Sequence, residues 1–245
     1  MVRIDVVGDV YDLASFSSID KPYQLIIADP PYGNIVTDNW EHKGTDVELA
    51  DQLITWCSNL EKFSHPGATL YMWGGYGTPG NRAFYRFVIG LEERTNWRMA
   101  AHITWSKRRA YGTSWNYLST REECAYCVLG DVKKPRVFNV PLLSTERGYA
   151  GFNKDHPAKS PFYRRTMVWT DINEIFRGKK HQCEKKPDLS RIMINTSSNP
   201  GDLVLDAFSG SRNCAEEADR LGRDVISVDV DTVEHLDYQK QQSET

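Results

Sequence analysis

Four short apolar runs in this chain each stop on an acid. Residues 1 to 7 (MVRIDVV) lead into Gly8-Asp9, and Leu25-Ile26-Ile27-Ala28 stops at Asp29-Pro30-Pro31-Tyr32. Leu203-Val204-Leu205 stops at Asp206, and Val225-Ile226-Ser227-Val228 at Asp229. Apolar, β-branched runs bounded by breakers predict buried strands. Between them the period changes. Asp46 to Phe63 carries Leu49, Leu53, Trp56 and Leu60 on one stripe, with Ala50, Ile54 and Cys57 beside it, which predicts a helix with Trp56 in the core. Further helices are expected over Asn81 to Glu93, over Asp188 to Ser197, and from Ser211 to Gly222 with Cys214, Ala215, Ala218 and Leu221 inward. Ala68 to Trp73, Arg98 to Trp105 and Cys124 to Leu129 read as further strands. Strands alternating with helices predict an α/β fold.

In open α/β sheets, ligands sit at the carboxyl ends of strands. Asp9, Asp29, Asp206 and Asp229 all take that position. Pro30 and Pro31 donate nothing to a sheet ladder and have fixed φ, so they hold Asp29 and Tyr32 on stiff backbone just past the strand. A carboxylate accepts from an exocyclic amine, and a tyrosine ring stacks on a base. Together they form a cradle for a planar amino-heterocycle, although the same four residues also suit a plain strand-end turn. The second constellation is a strand, a small-residue turn (Ala207 to Ser211), a helix and a strand ending in an acid. This is half of a nucleotide-binding unit: Asp229 is placed for ribose hydroxyls, and Asp206 for a cationic ligand end. Gly-x-Gly-x-x-Gly is absent, which argues against a dinucleotide.

Composition narrows the class. At 245 residues and 40% hydrophobic, the chain suits one α/β domain with an inserted lobe. No apolar run approaches the roughly 18 residues that span a membrane, and no secretory leader follows Met1, so a cytoplasmic protein is expected. The five cysteines form no even framework, which predicts reduced thiols. Cys124 and Cys127 lie in a strand-like run, off a common face, so no metal site is expected. Net charge is −3, yet residues 133 to 186 hold thirteen Lys and Arg against five acids. A basic segment in an acidic body points to a phosphate-facing surface. Within it Arg164, Arg165, Lys179 and Lys180 interleave with Phe162, Tyr163, Trp169 and Phe176. That pattern suits backbone tracking and base contact on nucleic acid, or equally a satellite core with a charged skin.

Asp29-Pro30-Pro31-Tyr32 resembles the catalytic motif of the amino-methyltransferases, which methylate adenine N6 or cytosine N4 in nucleic acid with S-adenosylmethionine (SAM). The run Asn199 to Ser211 resembles the SAM-binding motif of the DNA enzymes, as does Leu221-Gly222-Arg223 leading to Asp229. Lys186-Pro187 resembles their preceding Lys-Pro element. The catalytic motif comes first and the SAM motif last, which is the permuted β-class order. The resemblance implies a circularly permuted, Rossmann-like SAM methyltransferase fold: a catalytic half (1–130), a target-recognition lobe (131–181) and a SAM-binding half (182–245). It implies catalysis by Asp29, Pro30, Pro31 and Tyr32, and cofactor binding by Asp9, Lys186, Asp206, Phe208, Gly210, Ser211 and Asp229. Asp9 would meet the SAM adenine.

The chain departs from that family in three places. Arg212-Asn213-Cys214 stands where Gly-Thr-Thr is usual, His181 lies one place too early before the Lys-Pro pair, and Ala207 replaces a proline. A positive φ at position 212 would cost Arg roughly 1–2 kcal/mol, and its bulk is expected to crowd the methionine end of the cofactor. Asp at position 29 leans toward adenine N6 in double-stranded DNA. Cytosine N4, RNA adenine N6, and a degenerate DNA-binding subunit without activity stay open. The resemblance also brings a homodimer and a cognate restriction endonuclease as partners.

Overall fold

The computed structural model describes residues 1–12, 15, 20–32, 44–75, 77–112, 114–115, 117–146, 160–175 and 184–230. Among these residues ten strands and four α-helices follow in the order β1 (Arg3–Val7), β2 (Tyr23–Ala28), α1 (Asp46–Leu60), β3 (Ser64–Gly74), α2 (Gly77–Arg94), β4 (Trp97–Tyr111), β5 (Ser119–Leu129), β6 (Leu142–Glu146), β7 (Phe162–Arg164), β8 (Val168–Trp169), α3 (Pro187–Ser197), β9 (Leu203–Ala207), α4 (Asn213–Arg220) and β10 (Asp224–Asp229). Eight strands form one sheet in the order β1-β10-β9-β2-β3-β5-β4-β8, while β6 and β7 pair separately. From β1 to β3 every pairing is parallel. Only β5 runs against its neighbours β3 and β4.

The interior strands β2 and β9 are buried along their whole length, as parallel strands covered on both faces must be. One face packs Ile26, Ala28, Leu70 and Met72 against Leu49, Leu53 and Trp56 of α1 and Phe87 of α2. The other packs Leu25, Ile27, Tyr71 and Trp73 against Leu189 and Met193 of α3 and Cys214 and Ala218 of α4. Cys124 and Cys127 fall into these two different cores. Helix α1 starts on a capping box, in which Thr45 Oγ1 accepts the Glu48 amide and Glu48 reaches back to Thr45. Pro187 opens α3 at its first turn, where its missing N–H costs nothing.

The structure departs from the periodicity in the middle of the chain. Helix α2 begins at Gly77, earlier than its apolar stripe indicates. Strands β4 and β5 run on as a long hairpin past Trp105 and before Cys124. The segment from 131 onward contributes to the main fold. Its β8 extends the sheet beside β4, Trp169 and Ile172 are buried in the second core, and the Trp105 indole donates to the Ile172 carbonyl at 2.8 Å.

Candidate active site

Parallel strands bring their carboxyl ends to one rim. In register, Ile27 of β2 and Ser227 of β10 flank Asp206, and Val7 of β1 lies beside Asp229. The acids that end these runs therefore share one cavity of about 480 Å³, whose lining includes Asp9, Asp29, Asp206 and Asp229. The small-residue turn closes its floor. Gly210 takes φ +49° and its amide donates to Asp229 Oδ2 at 2.8 Å. Phe208 takes φ +59°, which wedges its ring edge-on between Tyr11 (5.7 Å) and Trp56 (5.6 Å).

The cavity asks for a cation. Asp206 is buried and its Oδ2 accepts the Ala215 amide at 2.9 Å. Burial pushes its carboxyl well above the usual range against that bond, and the nearby Asp229 and Asp29 push it the same way. The Ser209 hydroxyl, beside them, is buried with no hydrogen-bond partner among the described residues. A ligand with a positive end and hydroxyls to share would satisfy both.

At the mouth stands Asp29, with Pro31 beside it on the cavity wall and Pro30 buried behind. Tyr32 donates its hydroxyl to Asp29 Oδ1 at 2.8 Å. Burial, then Asp29 and Glu122, push the Tyr32 hydroxyl well above its usual range, so it stays a donor. The Lys185 ammonium donates to both Asp29 oxygens, at 2.5 and 2.6 Å, and to the Tyr32 hydroxyl at 2.8 Å. Its loop is pinned to α4 by Asn213, whose amide donates to the Lys185 carbonyl at 2.5 Å.

A family model described as DNA methylase matches residues 23–240. The chain belongs to that family of DNA methylases. The Type II methyltransferase M1.MboII of Moraxella bovis is 29% identical over 252 residues, covering 91% of this chain and 92% of that one. M.HpaI of Haemophilus parainfluenzae, another Type II methyltransferase, is 25% identical over 238 residues, covering 91% and 68%. Among solved structures, the M1.HpyAVI–SAM complex matches with a TM-score of 0.63 at 20% identity, covering 98% of this chain and 100% of that one. The PvuII cytosine-N4-specific DNA methyltransferase matches with a TM-score of 0.69 at 15% identity, covering 97% and 86%. These likenesses carry the fold, and the chain is a SAM-dependent methyltransferase of the permuted β class.

The structure of this methylase gathers Asp9, Asp206, Phe208, Gly210, Ser211 and Asp229 around one cavity. Lys186 stands elsewhere. It is the residue just before α3, and its ammonium pairs with Asp188 at 2.9 Å, while its neighbour Lys185 lines the cavity. Arg212 does take φ +58°, but it does not crowd the cofactor end: its guanidinium is buried outside the cavity, 3.6 Å from Asp5 of β1.

The basic residues singled out for nucleic acid divide. Arg165 is an internal brace, bidentate to Asp171 at 2.6 and 2.7 Å and 5.5 Å over the Trp169 ring. Arg164 is exposed and lies 5.4 Å over the Phe138 ring, lining a second cavity with Lys133 on the α3 face of the sheet. Lys179, Lys180 and His181 lie outside the described residues. Two signals were passed over in the sequence: the lysine one place before the Lys-Pro pair, and the two acids Glu122-Glu123 inside a strand. Among the described residues, no helix is long and apolar enough to cross a membrane, and no cluster of His, Cys, Asp and Glu is placed to hold a metal.

Proposed function

We propose that this methylase transfers the SAM methyl to adenine N6 of a base flipped out of double-stranded DNA. One observation carries the reading: the amine-accepting carboxylate Asp29 and the cofactor turn Phe208–Ser211 open on the same cavity. In-line transfer needs that juxtaposition, and alignment supplies most of the catalysis when the methyl donor is already activated.

The residues present fit SAM. Asp229 would hold the ribose hydroxyls, Asp206 and the Ser209 hydroxyl would meet the methionine end, and Asp9 with Val10 and Tyr11 would border the adenine, since all of them line the cavity. Bound SAM supplies an electrophilic methyl on a sulfonium. The protein does the rest at the amine. Asp29 and the Pro30 carbonyl accept its two N–H bonds and localise a lone pair otherwise delocalised into the ring. With SAM bound, attack by the amine would break the C–S bond and release S-adenosylhomocysteine; the Asp29 carboxylate would stabilise the positive charge on nitrogen, and the surplus N–H proton would leave through Asp29 to solvent. Flipping costs a few kcal/mol, and stacking on Tyr32 returns roughly 1–3 kcal/mol.

The β4–β5 hairpin supports a nucleic-acid approach to this rim. β4 runs parallel to β3, so the hairpin tip projects on the same side as the carboxyl ends. It presents Trp115 and Tyr117, 82% and 97% exposed, with Arg108, Arg109 and Arg121 exposed along its arms. The Type II methyltransferase relatives support the corollary of a bacterial, cytoplasmic restriction–modification setting with a cognate endonuclease.

Asp at position 29 favours adenine. The likeness to the cytosine-N4-specific PvuII enzyme favours cytosine as the second reading. A degenerate, SAM-free subunit loses its main support, because the Arg212 side chain lies outside the cavity. The test is transfer of labelled methyl from SAM to mixed-sequence double-stranded DNA, followed by nucleoside mass spectrometry. N6-methyldeoxyadenosine is expected; N4-methyldeoxycytidine would reassign the base, and absence of label would overturn the reading.

A further inference from the structure

Lys185 lies outside the motifs that assign the site, yet its ammonium stands at the centre. It holds both Asp29 oxygens and the Tyr32 hydroxyl, and it lies 5.2 Å from the centroid of the Tyr32 ring and 5.1 Å from that of Trp73. Those are the two places a target base needs: the carboxylate for its amine and the ring face for its stack. Behind, the ammonium is 3.1 Å from Glu122 Oε2, and the other Glu122 oxygen is paired with Lys107. The outcome is a row of alternating charges, Lys107, Glu122, Lys185 and Asp29. The first three have side-chain exposures of 14%, 8% and 13%, and Asp29, at the mouth, 33%.

We propose that Lys185 is the positioning residue of methyl transfer, standing on Asp29 in place of the target amine and shifting onto Glu122 as the base enters. The proposal rests on the methyl-transfer reading above. Its physical basis is the pair of carboxylates. Asp29 and Glu122 meet at the Tyr32 hydroxyl, 2.8 and 3.3 Å away. Two such groups do not both stay ionised without a cation between them. Burial pushes Glu122 up, but Lys185 and Lys107 outweigh it and hold the carboxyl down at about 2. Burial also works against the Lys185 charge, and Asp29 and Glu122 overcome it, pushing the ammonium above its ordinary range. Lys185 therefore stays protonated, with no lone pair to compete for the methyl.

The other titratable groups around it are Cys124 on β5, Glu184 beside it in the chain, and Asp206 across the cavity. None is a cation, so none replaces its charge between the two carboxylates. The exchange is short, because Glu122 already lies at 3.1 Å and Lys185 keeps a buried partner throughout.

The experiment compares Lys185→Gln and Lys185→Arg with the wild type, using the full chain with SAM. Two readouts are needed: the pH profile of methylation, and carboxyl titration by 13C NMR with Asp29→Asn and Glu122→Gln as assignments. Lys185→Gln is expected to raise the titration of Glu122 by about 1–3 pH units and to move the acid limb of the rate profile upward. Its KM for DNA falls, because the base no longer displaces an ammonium, and its kcat recovers at high pH. Lys185→Arg keeps the charge and leaves the acid limb near the wild-type position. SAM calorimetry on each variant confirms an intact fold. Carboxyls that titrate in Lys185→Gln as in the wild type, or a rate loss that high pH does not relieve, would overturn the proposal. A wild type that methylates nothing defeats the methyl-transfer reading instead, while the NMR titration still decides the place of Lys185.

Discussion

The Gly210 amide donates to the Asp229 carboxylate at 2.8 Å, tying the turn after β9 to the tip of β10. The cofactor turn is thus braced by the acid proposed to hold the ribose. One carboxylate oxygen keeps the loop, and the residue lines the cavity.

Asp229→Ala removes both roles. Charge-assisted hydrogen bonds are worth about 1.5–3 kcal/mol each, so SAM affinity should fall by about ten- to a hundredfold. Asp229→Asn keeps a carbonyl for the Gly210 amide and should lose less. Calorimetric titration with SAM checks both, and an Asp229→Ala variant with unchanged affinity would remove the ribose assignment.

Asp29 is expected to affect turnover rather than cofactor binding. It is proposed to accept the amine, while the cofactor turn Phe208–Ser211 is a separate stretch of the cavity lining. Losing electrostatic stabilisation of a transition state typically costs about 10²–10³ in rate. Asp29→Ala should lose at least that in methyl transfer, with SAM affinity close to wild type. Single-turnover kinetics beside calorimetry separates the two effects.

The rim was legible in the chain because parallel strands leave little choice. Each apolar run that stops on an acid puts that acid at a carboxyl end, so Asp9, Asp29, Asp206 and Asp229 share one rim, and the adjacent order β1-β10-β9-β2 brings them to one cavity. Lys185 was not legible, because helix phase decides it. Pro187 begins α3, and the residue just before, Lys186, turns to Asp188, which leaves Lys185 facing the cavity. Arg165 reads as a surface cation until the chain folds back and brings Asp171 beneath it. The far ends of β4 and β5 escaped for another reason. Among the described residues from Ser106 to Arg121 none is buried in either core, so no buried face imposes alternation on that stretch of the hairpin.

Glu122 makes the protein's acid stability testable. Its carboxyl is held at about 2 against burial by Lys185 and Lys107. A carboxyl depressed in the folded state contributes stability that is present above its unfolded value, near 4.3, and lost as pH falls toward 2. Glu122→Gln leaves two buried ammonium groups short of a partner. Breaking a buried pair costs about 3–5 kcal/mol, so the variant should be less stable by that order at pH 7. The difference from wild type should shrink between about pH 4.5 and 2. Urea unfolding across that range checks it, and a constant difference would show that Glu122 acts through packing rather than charge.

Arg212 offers a test in which the usual ranking of two small residues reverses. It precedes α4 with φ +58° and ψ +21°, a left-handed conformation that costs a residue with a Cβ roughly 1–2 kcal/mol. Its guanidinium is buried, with Nε and Nη2 lacking hydrogen-bond partners among the described residues and Asp5 at 3.6 Å. Arg212→Ala and Arg212→Gly both delete that group, so the difference between them isolates the backbone. At an ordinary position glycine loses about 0.4–1 kcal/mol to alanine through the entropy of the unfolded chain. Here relief of the left-handed strain exceeds that loss, and Arg212→Gly should be the more stable variant by up to about 1 kcal/mol. For a chain of this size that is a Tm difference of about 2–4 °C. Both variants should bind SAM as the wild type does, because the side chain lies outside the cavity. Thermal unfolding of the pair decides it: alanine equal to or above glycine would mean that position 212 does not hold the left-handed turn in solution.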